Sequence, residues 1–230
     1  MRDIVLDTET TGLSPANGDR IVEIGCVELV NFIPTGRTFQ KYLDPEMPMP
    51  VEAQQIHGLS DDFLRGKPKF ADIADEFLDF IKNAQVIAHN AKFDVGFLNA
   101  ELALAGHPFL TSKVLDTVQL ARREYPGASV SLDALCRKFG IDTTARGKHG
   151  ALLDSELLAQ VYLEIVGGRQ PGLILAAHSD ITSTGAAAAI LGSAASARAV
   201  RPPRDHQPTE AELAAHLAFV ETLNEPVWSW

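Results

Sequence analysis

The chain has 230 residues, of which 46% are hydrophobic and 22% charged, an ordinary composition for a globular protein with a sizeable core. Its only cysteines are Cys26 and Cys136, which excludes a disulfide framework and agrees with a reducing compartment. The net charge of −10 argues against a protein that coats nucleic acid by bulk electrostatics. No apolar run has the length of a transmembrane helix or a signal peptide, so we expect a cytoplasmic protein.

The first elements along the chain are three predicted strands, at about Ile4–Leu6, Ile21–Val30 and Arg37–Leu43, and they suggest an antiparallel meander. Strands at Ala84–Ala88 and Val114–Leu115 then alternate with helices. These helices are predicted at about Phe70–Lys82, Phe93–Ala105, Thr117–Glu124, Ser131–Phe139 and Ala151–Val166. A meander followed by this alternation predicts an α/β fold, in which helices flank a mixed sheet.

The chain changes character after residues 1–168, which form the predicted domain. Residues 169–208 are rich in Ala, Ser, Thr, Gly and Pro and predict a flexible linker. Residues 209–230 predict a short helix and tail. The helix has start signals at Pro208 and Thr209 and an apolar stripe of Leu213, Leu217, Val220 and Leu223, and the tail contains Trp228 and Trp230. A short isolated helix is marginal in water and tryptophans anchor interfaces, so we interpret this segment as a docking element. The alternative is that the helix packs on the domain's own surface.

Acidic residues stand at positions where the pattern otherwise predicts apolar ones. Asp7 and Glu9 end the first strand and share one of its faces. Asp94 lies in the first turn of a helix, on its core-facing side, and Asp154 is embedded in the apolar stripe of another helix. Solvated strand ends and helix-dipole partners are the ordinary explanations for such acids taken singly. His149 follows Gly147 and precedes Gly150, where an exposed loop histidine is the ordinary explanation.

Together these residues fit one chemistry. Four carboxylates without cysteine ligands select hard cations, Mg²⁺ or Mn²⁺. Two such ions stabilise the attacking and leaving oxygens of a phosphoryl displacement, and a histidine suits the role of the base that deprotonates water.

Three segments carry a resemblance to a known family: DTETTG at 7–12, HNAKFD at 89–94 and HGALLD at 149–154. They resemble the three motifs of the DEDDh exonucleases, with the same order and spacing. The segments VEAQQIHG at 51–58 and SLDALC at 131–136, and the Ala/Pro-rich tail, resemble the epsilon family of proofreading subunits in bacterial DNA polymerase III. The resemblance implies an RNase H-like fold and 3′→5′ exonuclease activity on DNA.

The resemblance also implies roles for individual residues. Asp7, Glu9, Asp94 and Asp154 would bind two divalent cations, Mg²⁺ or Mn²⁺, and His149 would be the general base. The substrate-binding set would comprise Glu9, Thr10, Thr11, Glu52, His57, Phe93 and Asp154. Thr10 and Thr11 would hold the terminal 3′-hydroxyl, whereas Phe93 either stacks on a base or packs in the core. From their positions in the sequence rather than from the resemblance, we expect Asn90 to fix the strand-to-helix turn and Asp116 to cap the following helix, not to act as a ligand.

Partners follow from the same resemblance. The C-terminal helix would dock on the polymerase (alpha) subunit, and some members of the family also bind a small third core subunit. Gln170, Leu173 and Leu175 resemble a sliding-clamp-binding peptide, and the alternative is a helix exit that continues into the linker. Two other functions stay open at this point, a free-standing exonuclease on RNA 3′ ends and a non-catalytic bridge between polymerase and clamp.

Overall fold

Five strands form one mixed sheet in the computed structural model, which describes residues 1–144, 147–167 and 208–222. The strands are β1 (Arg2–Thr10), β2 (Ile21–Val30), β3 (Ile33–Tyr42), β4 (Gln85–Ala88) and β5 (Val114–Asp116). Their order is β3-β2-β1-β4-β5, with β1, β2 and β3 antiparallel and β4 and β5 parallel to β1. The predicted meander and mixed sheet are confirmed.

Helices cover both faces of this sheet. They are α1 (Val51–His57), α2 (Asp61–Leu64), α3 (Phe70–Ile81), α4 (Ala91–Leu104), α5 (Thr117–Glu124), α6 (Leu132–Phe139) and α7 (Ala151–Ile165). On one face, Ile4 and Leu6 of β1 pack with α3 and α4; on the other, Val5 packs with α7. Since side chains alternate along a strand, even-numbered residues of β1 face α4 and odd-numbered residues face α7.

The largest differences from the sequence prediction lie at polar or short elements. β3 begins at Ile33, four residues before the predicted start, because its first residues are exposed at the sheet edge and have no apolar alternation. β1 continues through Asp7 to Thr10, whereas only its apolar centre was predicted. The short helices α1 and α2 were not among the predicted elements.

A second unit contains α8 (Glu210–Val220). Thr209 is its N-cap and forms a capping box with Glu212, which confirms the predicted start signal. Leu213, Leu217 and Phe219 are exposed. Residues 169–207 of the predicted linker, Leu223 and the two tryptophans lie outside the described residues. Across the described ranges, no helix combines the length and the apolar composition needed to cross a membrane.

Candidate active site

The carboxyl ends of β1 and β4 open into a cavity of about 800 Å³. Asp7 and Glu9 reach it from β1, and His149 and Asp154 reach it from the start of α7. In the antiparallel register Asp7 lies opposite Gly25 and Glu9 opposite Glu23, so all of these positions share the face that α7 covers. Residues from distant parts of the chain thus meet at one end of the sheet.

One group of described residues could bind a metal ion, and it consists of Glu9, His149 and Asp154. Each offers a ligand atom, and these three atoms lie within 4.8 Å of one another. Asp154 is 3% exposed, whereas the His149 side chain is half exposed. The imidazole Nδ1 lies 3.1 Å from Asp154 Oδ2, and because a carboxylate can only accept, the ring donates this hydrogen bond. The loop histidine is therefore held at the cavity by the aspartate five residues later.

Asp94 approaches from the opposite helix layer. Its Oδ1 accepts a hydrogen bond of 2.8 Å from Thr8 Oγ1, and Thr8 is the even-numbered residue between Asp7 and Glu9. Burial raises the pKa of Asp94 to about 7, against the opposing effect of the Thr8 hydrogen bond. Asp94 is 2% exposed and does not line the cavity itself. The structure therefore places four of the five predicted residues at the cavity wall and the fifth beside Thr8.

The first turn of α7 is fixed on β2 by three contacts that sequence reasoning missed. Glu23 Oε2 accepts a hydrogen bond from the Ala151 backbone N–H at 3.1 Å, and Ser155 Oγ donates to the Gly25 carbonyl at 2.9 Å. Gly25 also lets the helix approach closely, because a Cβ there would lie 2.2 Å from the Ala151 backbone. The signal in the sequence was Glu23, one of two acids in a strand that is otherwise apolar.

A second set of hydrogen bonds that sequence reasoning missed fixes α4, the helix that carries Asp94. The buried Glu101 accepts hydrogen bonds from Arg20 Nε at 2.7 Å and Nη2 at 2.8 Å, and its Oε1 also accepts from the Ile21 N–H at 3.2 Å. These bonds join α4 to the start of β2. Both helices that carry predicted ligands are thus fixed to the same strand.

A second cavity of about 450 Å³ adjoins the first, and Thr8 and Glu9 line both. It brings together the predicted substrate residues Thr10, Thr11, Glu52, His57 and Phe93. Burial lowers the pKa of His57, and the Leu59 N–H donates to its Nδ1 at 3.0 Å, which leaves Nε2 as the proton-bearing nitrogen. Phe93 packs on Phe97, with ring centroids 4.9 Å apart, while it also lines the cavity.

The turns around both cavities are held by side-chain bonds. Thr10 Oγ1 donates to the Gly12 carbonyl at 2.6 Å, and Thr11 Oγ1 accepts from the Arg20 N–H at 3.0 Å. Asp116 caps α5 by accepting from the Val118 N–H, and it also accepts from the Asn90 N–H. The predicted capping role of Asp116 is confirmed. The predicted clamp-binding residues Gln170, Leu173 and Leu175 lie outside the described residues.

The donor set at the first cavity suits a hard divalent cation. It consists of carboxylate oxygens and one imidazole, with no sulfur ligand, because both cysteines are buried elsewhere in the core. Carboxylates gathered at a partly buried site repel one another unless a cation compensates. The residues therefore fit the cations that the sequence predicts.

Comparisons with known proteins agree with this geometry. A family model described as Exonuclease matches residues 4–162. DNA polymerase III subunit epsilon of Rickettsia felis is 44% identical over 227 residues, which cover 97% of this chain and 97% of that protein. The protein of the same name from Escherichia coli K12 is 46% identical over 176 residues, which cover 73% of this chain and 72% of that protein.

Solved structures give the same picture of the fold. Exonuclease X in complex with 5′-overhanging duplex DNA is 26% identical, with a TM-score of 0.59 over 72% of this chain and 91% of that one. The nuclease domain of 3′hExo, a DEDDh family member bound to rAMP, is 20% identical, with a TM-score of 0.64 over 72% and 92% of the two chains. The predicted RNase H-like sheet flanked by helices is thereby confirmed.

Proposed function

The chain belongs to the exonuclease family, among the epsilon subunits of DNA polymerase III, and we propose that it is the proofreading 3′→5′ exonuclease of a bacterial replicative polymerase, acting in the cytoplasm. One observation supports this proposal above all: a ligand atom from each of Glu9, His149 and Asp154 lies within 4.8 Å of the other two. These residues line a cavity that Asp7 also lines. The adjoining cavity of about 450 Å³ has the size of a small-molecule site, for which roughly 300–1,000 Å³ is typical.

The fold implies divalent metal use, and we propose that Asp7, Glu9, Asp94 and Asp154 hold two ions, Mg²⁺ or Mn²⁺. When bound, these ions would stabilise the negative charge on the attacking and leaving oxygens. His149 would take the proton of the attacking water, while Asp154 orients the ring through Nδ1. The water oxygen would bond to phosphorus as the bond from phosphorus to the 3′-oxygen of the preceding nucleotide breaks, this oxygen would take up a proton from solvent, and a nucleoside 5′-monophosphate would be released.

The adjoining cavity would hold the terminal nucleotide. The Thr10–Thr11 turn would bind the 3′-hydroxyl, Glu52 and His57 would contact the sugar, and Phe93 would supply an apolar wall. Proofreading requires no contact that reads a base edge in a sequence-specific way. Selectivity for mispairs then arises because a mispaired end frays more readily into a single strand.

A primer assay tests the function. A 5′-labelled primer with a mispaired or matched 3′ end is annealed to template and incubated with Mg²⁺, Mn²⁺ or EDTA; an RNA 3′ end is a third substrate. We expect metal-dependent shortening from the 3′ end, faster on the mispair than on the matched end or RNA. Asp7→Asn should abolish it, whereas Asp133→Asn, the same change in the same cavity outside the proposed ligand set, should not. A folded protein that shortens no end with either metal would overturn the proposal.

The tail is proposed to attach this enzyme to its partners. The exposed Leu213, Leu217 and Phe219 of α8 suit docking on the polymerase (alpha) subunit, and Gln170, Leu173 and Leu175 suit the sliding clamp. Leu213→Glu should weaken copurification with alpha, and Leu173→Ala should weaken retention on immobilised clamp, with the hydrolytic activity unchanged in both. Retention of both complexes would contradict these assignments; a small third subunit would show as an additional component of the purified core.

A further inference from the structure

Two cations at the active-site cavity have side chains that pair with no other residue in the part of the chain that the structure describes. Lys92 and Arg122 both line the cavity of about 800 Å³ and both are exposed. Neither side chain makes an ion pair or hydrogen bond with another described residue. Most other described cations do pair with acids, including Arg2, Arg20, Arg37, Lys41, Arg65, Lys69, Lys82 and Arg123.

The position of Lys92 is locally unfavourable. It is the second residue of α4, where the helix dipole favours a negative charge and disfavours a positive one. Local rules that are broken without an internal compensation often mark functional positions. No direct ion pair with a described residue offsets this charge, so the ammonium group is available to an anionic ligand.

The surroundings indicate which ligand fits. Lys92 also lines a third cavity, of about 270 Å³, together with Phe93, which in turn lines the cavity of the terminal nucleotide. Arg122 lies on α5, beside Gln119 on the wall of the active-site cavity. A strand whose last nucleotide occupies the second cavity must leave through this region, and its phosphates meet an otherwise acidic wall that includes Asp116 and Asp133.

We propose that Lys92 and Arg122 form a binding site for the phosphodiester groups on the 5′ side of the scissile bond. This proposal rests on the exonuclease function above and adds to it the contacts that hold the single strand in a protein of net charge −10. Such contacts position the backbone without reading sequence, as proofreading of any mispair requires.

A comparison of two substrates tests the proposal. The p-nitrophenyl ester of thymidine 5′-monophosphate needs the catalytic residues but has no upstream phosphodiester, whereas an oligothymidylate has both features. For Lys92→Ala/Arg122→Ala we expect KM for the oligothymidylate to rise about tenfold, with kcat and the ester activity nearly unchanged. The matched control is Lys113→Ala/Arg137→Ala, which removes two exposed cations that do not line the cavity.

A neutral phosphate analogue locates the contact. A methylphosphonate at the first phosphodiester 5′ of the scissile bond should raise KM for the unaltered enzyme, but add little in the double variant. Fully additive effects would place the cations elsewhere and overturn the proposal. An equal loss on the mononucleotide ester would also overturn it, because the residues would then support the catalytic centre itself.

Equilibrium binding separates this proposal from the function on which it rests. Binding of a fluorescent oligothymidylate in EDTA at increasing salt needs no hydrolysis. The slope of log K against log salt is negative, and each lost phosphate contact makes it shallower by about 0.7. The slope of the double variant should therefore be shallower by about 1.4. A slope equal to that of the control variant would overturn the site even in an active enzyme. A reduced slope in a protein without activity would leave the site standing and overturn only the exonuclease function.

Discussion

Gly25→Ala is the substitution that we expect to disturb most the close contact between β2 and α7, the helix that carries Asp154. A Cβ at this position would lie 2.2 Å from the Ala151 carbonyl carbon and the Leu152 nitrogen, whereas ordinary contact begins at 3.4 Å. Both neighbours are backbone atoms, so no side-chain rotation can relieve the overlap. The first turn of α7 must therefore move by roughly 1 Å, which is the difference between these two distances.

This displacement should affect catalysis more than stability. Asp154 lies in the turn that moves and His149 lies two residues before that turn, and a misplacement of about 1 Å costs roughly 10²-fold in rate. Overpacking in a well-packed region costs about 1–3 kcal/mol in the free energy of unfolding. We therefore expect kcat to fall about a hundredfold in a protein that stays folded.

The assay pairs hydrolysis of the mononucleotide ester with urea unfolding of the same preparation. Gly96→Ala in α4 is the matched control, because a Cβ there meets nothing within 4 Å and its backbone is helical. It should gain about 0.5–1 kcal/mol and keep the kcat of the unaltered enzyme. If Gly25→Ala kept that kcat as well, the close contact between β2 and α7 would not set the catalytic geometry, and the reasoning would be wrong.

Three further predictions concern electrostatics. Arg20→Ala should lower the free energy of unfolding by about 3 kcal/mol in urea titrations, because the buried Glu101 loses its bidentate partner. Glu28→Gln should lower Tm near pH 7. Burial raises the pKa of Glu28, but the hydrogen bonds and charges of Thr35, Arg2 and Arg37 together lower this pKa by more than burial raises it, so the net shift is downward. The stability that this carboxylate contributes is present above its unfolded pKa of about 4.3 and is lost as the pH falls below that, so the two melting curves should converge in acid. Mg²⁺ or Mn²⁺ should raise Tm and EDTA should reverse the gain, whereas Asp154→Asn should show a much smaller response.

The acids proposed as metal ligands stand out in the sequence because they occupy positions where the local pattern predicts apolar residues or lie at the end of an apolar strand. Asp154 interrupts the apolar stripe of a helix, and its spacing from His149 is only five residues. Their hydrogen bond is therefore a local contact. Asp94 was expected on the core-facing side of its helix and is in fact buried. The approximate positions of the longer helices and strands could also be predicted, because amphipathic periodicity depends only on residues that are near one another in sequence.

The supporting residues could not be predicted in the same way. Glu23 contacts Ala151 across 128 positions of sequence, and Glu101 contacts Arg20 across 81. An acid in a strand or on a helix gives no indication of the distant group that it will bind. Gly25 likewise looked like any strand glycine, because its function depends on the approach of a helix far along the chain.

The charges of this enzyme bear on how its substrate arrives. Of the described residues, five acids line the cavity, namely Asp7, Glu9, Asp116, Asp133 and Asp154, and the chain as a whole carries a net charge of −10. Such a surface does not attract DNA over long distances, since steering requires a field of opposite sign. Lys92 and Arg122, which pair with no other residue that the structure describes, can hold a strand that is already at the cavity, but they do not attract one from solution. A polymerase that presents a frayed 3′ end at high local concentration removes the need for attraction, which explains why an acidic exonuclease with a minimal phosphate site suits a tethered subunit.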